Sequence, residues 1–115
     1  MSHTTITAGL VAPAVVTLVN GATIAVNASL GNDFRLKATA SATIRNPTGG
    51  ADGQRITFQI TQGKGGLSLK WDSQYKFGAA GAPTLSSVAG GTDVIGFIYN
   101  ASLGSWLCAG VALGF

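Results

Sequence analysis

The sequence predicts an all-β fold: one small antiparallel β-sandwich with jelly-roll-like wiring. Three observations carry that prediction. No stretch of the 115 residues sustains the 3.6-residue apolar period of an amphipathic helix. Short runs rich in Val, Ile and Thr recur between clusters of Gly, Asn and Pro, as strands do between turns. Charged side chains make up only 10% of the chain, where a soluble domain usually carries about 25%. The exterior must therefore be built from Thr, Ser, Asn, Gly and Ala, of which this chain holds 12 Thr, 17 Gly and 17 Ala.

Taken in order, the first elements are Val15 to Val19 and Ala22 to Val26. Asn20-Gly21 between them tolerates the positive φ of a two-residue hairpin turn, so the pair is expected to close on itself. Strands follow at Asp33 to Thr39, Ala42 to Ile44 and Arg55 to Thr61. In the last of these Ile56, Phe58 and Ile60 face one way and Thr57, Gln59 and Thr61 the other, the mark of a half-buried strand. Loops are expected at 46–53 and 62–66. Leu67, Leu69 and Trp71 then alternate inward, a short Tyr75 to Phe77 segment follows, and 78–91 is a Gly/Ala/Ser-rich excursion. The last two strands, Asp93 to Tyr99 and Trp106 to Phe115, are apolar on both faces. Such strands must be covered twice, and a chain of this length has little left over to supply a second layer. Self-association is the expected answer, with Ile95, Phe97, Tyr99, Trp106, Val111, Leu113 and Phe115 as the interface set. The chain divides into an N-terminal arm with its first strand, residues 1–20, and a sandwich domain, 21–115.

One pentapeptide occurs twice, Asn27-Ala28-Ser29-Leu30-Gly31 and Asn100-Ala101-Ser102-Leu103-Gly104. Both copies read as hairpin turns in which Asn and Ser bond the local backbone and Leu tucks beneath.

The inventory for chemistry is thin. The four acids are all Asp and there is no Glu; His3 is the only histidine and Cys108 the only cysteine. No Ser/His/Asp arrangement, two-histidine metal site or disulfide can be assembled from these, and Cys108 between Leu107 and Ala109 reads as a small core side chain. Lys64 among glycines lacks phosphate-loop spacing and precedes a strand. The formal net charge of +3 comes from scattered Lys and Arg, which gives no footprint for nucleic acid. The longest apolar run, Leu10 to Val19, is broken by Pro13 and Thr17 and is too short for a bilayer. The expectation is a protein with no catalysis, metal or cofactor and no nucleic-acid or membrane partner. Trp71, Tyr75 and Phe77 fall close enough to form a glycan platform, but the spacing of two from Leu67 through Leu69 directs the indole to the core.

Several motifs in sequence order resemble a known family: Asn46-Pro47-Thr48, Asp52-Gly53-Gln54, Trp71 through Phe77, Ala82 through Ser86, Asp93 through Asn100, and Trp106-Leu107-Cys108 closing on Phe115. This combination is similar to a small β-sandwich module of tailed-bacteriophage virion proteins, found at tail-fibre tips and in head appendages. The resemblance spans Ala22 to Phe115. It implies turn determinants in the Asn-Pro and Asp-Gly-Gln segments, core or interface roles for the aromatics, and a homotrimer. It also implies synthesis in a bacterial host cytoplasm and a place on the virion exterior. In fibres the module ends a long shaft; here only about twenty residues precede it. The expected role is a capsid decoration or head-appendage protein that binds other virion proteins, such as the major capsid protein, through its surface and N-terminal arm. The alternative is a tail-tip module for a host receptor or surface glycan.

Overall fold

The computed structural model describes residues 14–115; the expectations for the N-terminal arm up to Pro13 lie outside them. Nine strands form among the described residues: β1 (Val15–Thr17), β2 (Thr23–Ile24), β3 (Asp33–Ala38), β4 (Ala42–Ile44), β5 (Arg55–Gln62), β6 (Leu69–Trp71), β7 (Tyr75–Lys76), β8 (Thr92–Asn100) and β9 (Ser105–Ala112). The fold is all-β, as the pattern predicts. Its wiring is not the expected one. A six-stranded sheet runs β1-β3-β5-β8-β9-β7 and a three-stranded sheet runs β2-β4-β6. From β1 to β6 the chain changes sheet at every strand, so each circuit adds one strand to each sheet, parallel to the one before. Only β5–β8 and β8–β9 are antiparallel among the described strands. The antiparallel jelly-roll expectation is therefore corrected to three parallel rungs followed by an antiparallel hairpin.

The rungs cohere because equivalent positions stack. Val16, Phe34 and Phe58 form one row across the large sheet, and Ile24, Ile44 and Trp71 form another across the small one. Parallel strands need a long return path, and the strand in the opposite sheet provides it. The two sheets share one core, in which the Phe58 ring lies 5.5 Å from Trp71 and 5.8 Å from both Phe34 and Phe97.

The predicted Asn20-Gly21 hairpin does not form. β1 pairs with β3 and β2 with β4, and the Asn20 side chain is spent elsewhere: its Nδ2 donates to Lys37 O at 2.8 Å and its Oδ1 accepts from Thr39 N at 3.1 Å. Those bonds hold a corner between rungs, a non-local gain that outweighs the local turn preference.

Corners are tight elsewhere too. A Cβ on Gly63 would sit 2.3 Å from Ala38 O, and one on Gly50 would sit 2.5 Å from the Trp106 ring. Two buried polar side chains hold loops in place. Gln62 clamps its own loop by accepting from Leu67 N and donating to Leu67 O. Asp93, 1% exposed, accepts from Ser86 N and Ser86 Oγ, both at 2.6 Å, and from Gly114 N at 3.0 Å. It ties the 78–91 excursion to the C-terminal segment.

Candidate interaction surface

The register of the large sheet assigns every outward side chain. On β3 and β5 the outward positions are Asp33, Arg35, Lys37, Arg55, Thr57, Gln59 and Thr61, with Arg35 and Asp33 ion-paired at 2.8 Å. That partnership holds the Arg35 guanidinium above its ordinary pKa, first by its hydrogen bond to Asp33 and then by the carboxylate's charge. On β8 and β9 the same face carries Val94, Gly96, Ile98, Leu107, Gly110 and Ala112. No charged side chain occurs from Val94 to Phe115. A shallow trough floored by Gly96 and Gly110 runs here, with Thr57, Val94 and Ala112 at its sides.

The seven residues expected at an interface separate into three groups. Ile95, Phe97 and Trp106 are at most 1% exposed within the single chain. They are core, and the expectation that they meet a neighbour is corrected, because the chain's own strands already cover them. Tyr99 is half-buried with its ring 4.6 Å from that of Trp106. Val111, Leu113 and Phe115 are open to solvent, Phe115 at 72%. The outward set Val94, Ile98 and Leu107 was not among the expected interface residues, although the alternation along both strands shows it.

Trp71, Tyr75 and Phe77 do come together, Tyr75 in the core and Trp71 and Phe77 half-buried against it. Their rings meet edge to face at 5.0 and 5.5 Å, and all three pack around Phe97. The Tyr75 hydroxyl donates to Arg45 O at 2.8 Å, and its pKa is raised by burial first and by the charge of Asp72 second.

The motif residues act as clamps between loops. Asn46 donates from its backbone N–H to Asp72 Oδ2, accepts from Gln74 N at Oδ1 and donates to Ser73 Oγ from Nδ2. Backbone hydrogen bonds from Ser73 and Asn46 hold the Asp72 carboxyl below its ordinary pKa, with a smaller contribution from Arg45 at 3.7 Å. Gln54 donates to Ala28 O and Gly31 O, and Asp52 accepts from Ala101 N. The 49–54 loop thus joins both copies of the repeated pentapeptide at one end of the molecule. The copies differ in shape. Residues 28–30 form a 3-10 turn with Asn27 Oδ1 accepting from Ser29, whereas 101–104 close the β8–β9 hairpin with Asn100 Oδ1 accepting from Leu103 N. Only the second is a hairpin turn, and neither leucine tucks beneath: Leu30 is 58% and Leu103 63% exposed.

Among the described residues, no group of three or more His, Cys, Asp or Glu side chains could hold a metal ion, and no helix is long and apolar enough to cross a membrane. The chain matches no family model, no curated protein and no solved structure.

Proposed function

We propose that this chain is a structural protein of a tailed-phage particle, a capsid decoration or head-appendage protein that works by associating with copies of itself and with the shell. The observation that carries the reading is the uncharged hairpin. One half of a sheet face is protected by charges and the other half is left apolar, which is the distribution expected of a surface meant to be covered. The motifs behind the phage resemblance support it further, because Asn46, Asp52, Gln54 and Asp93 all spend their polar atoms on holding loops. A β-sandwich held this way offers a rigid scaffold for attachment. Threefold order is carried by the resemblance, and the major capsid protein is the partner that a lattice-bound decoration protein requires.

Immunogold labelling or cryo-electron microscopy of intact particles tests the assignment. The expected result is many copies spread over the capsid. Density or label confined to the tail tip would replace the reading with receptor or glycan binding, and purified particles lacking the chain would remove both.

A further inference from the structure

We propose that the second half of β9, from Cys108 to Ala112, is a strand-addition edge that pairs antiparallel with the same edge of a second copy of this chain. The inference rests on the self-association part of the proposed function and gives it an atomic form. β7 covers the outer edge of β9 only at Trp106 and Leu107. There the edge is satisfied, with Trp106 N donating to Gln74 O at 2.8 Å. From Cys108 onward no described strand lies on that side, and Ala109 through Ala112 are all exposed. Backbone donors and acceptors on an open edge are a template for another strand, and proteins guard such edges with Lys, Pro or a β-bulge. This one has neither Lys nor Pro; its single bulge, at Ala109 between the Gly96–Gly110 and Phe97–Cys108 pairs, leaves Gly110 to Ala112 in regular register with β8.

The free stretch suits its own copy for three reasons. Its length is bounded on both sides, by β7 and Phe77 at one end and by Gly114, whose φ of 79° bends the chain, at the other. A twofold centred on Gly110 sets Cys108 to Ala112 against Ala112 to Cys108, so slot and insert are equally long; a longer foreign strand would run into Lys76. The outward side chains at the centre are Gly110 and Ala112, and no atom of the chain itself lies within 4 Å of a Cβ built on Gly110, so the face beside this edge is clear on each copy. The chain carries a net charge of +3, which disfavours self-contact overall, whereas this segment has no charged side chain to add to the repulsion. Pairing would also draw Val111, 44% exposed on the core side opposite Ile95, under the joined sheets.

Sedimentation of the full chain over the micromolar range tests the pairing. The expected result is dimers, or hexamers if copies are also threefold related, with Val111→Lys weakening the dimer by at least about tenfold while the circular dichroism spectrum of the folded chain is unchanged. Val19→Lys, on an equally apolar exposed site outside β9, is expected to leave the mass unaltered. If Val111→Lys fails to fold, Gly110→Cys in a Cys108→Ser background gives an independent readout, since oxidation is expected to link two copies through position 110. A trimer, or an even-numbered assembly indifferent to Val111→Lys, overturns the pairing and leaves self-association standing. So does absence of the Gly110→Cys cross-link in an assembled protein. A wild-type monomer at every concentration overturns both.

Discussion

The β3–β5 and β8–β9 halves of the large sheet bury similar residues and expose opposite ones. Phe34, Leu36, Phe58 and Ile60 on one side and Ile95, Phe97 and Trp106 on the other meet in one core. Outward, Asp33, Arg35, Lys37 and Arg55 give way to Val94, Gly96, Ile98 and Gly110. The difference teaches that inward positions decide whether the chain folds and outward positions decide what the folded sheet tolerates beside it. The two sets can be changed almost independently, because the pleat separates them.

Phe58→Ala should abolish the comparison by damaging both halves at once, since its ring contacts Phe34 on β3, Phe97 on β8 and Trp71 and Tyr75 across the core. A loss of about 3–5 kcal/mol is expected in denaturant unfolding. Asp93→Ala should loosen the hairpin side selectively. Three hydrogen bonds disappear, about 2–3 kcal/mol is lost, and hydrogen exchange should accelerate at Ser86 and Gly114 while β3 stays protected. Gly50→Ala forces a methyl against the Trp106 ring; a cost of about 1–3 kcal/mol is expected from the melting temperature. Ile98→Thr sharpens the contrast from the other direction. It polarises the uncovered face, and stability should stay within about 0.5 kcal/mol while self-association, read by light scattering, declines.

The smallest effect is a pH dependence in the rungs. Asp72 has a depressed pKa in the folded chain, so its contribution is complete above the ordinary carboxylate range and is lost as the pH falls through the depressed value. Asp72→Asn should flatten that part of the acid-side melting curve, measured against wild type.

Strand positions were legible in the sequence; of the strand partners only β8 with β9 was, through the hairpin turn read at Asn100 to Gly104. Alternation at Ile56, Phe58 and Ile60, and the doubly apolar run from Val94, mark their strands in the residues themselves. The rungs were hidden because Val16, Phe34 and Phe58 stack although the spacing between them differs, so no fixed period appears. Asn20-Gly21 misled because a local turn signal says nothing of Lys37 and Thr39, which claim the Asn20 side chain. The candidate surface was half legible. The apolar doubling of β8 and β9 pointed to it, but which face the core would claim depended on the register with β5. The pentapeptide copies show the same limit: identical residues take two conformations because different neighbours hold them.

The β8–β9 hairpin is the only pairing between consecutive strands among the described residues. Every other ladder must wait for a loop containing at least one further strand to close, and loop closure is what slows the folding of non-local sheets. The hairpin is therefore the natural seed from which β5, and then the rungs, are recruited. During synthesis, however, it follows β1 to β7. The parallel rungs, β1 with β3 and β3 with β5, emerge before the local seed they are expected to zip onto, so the order of emergence and the order of assembly run in opposite directions. Removing β9 would cost the chain a starting point as well as a strand.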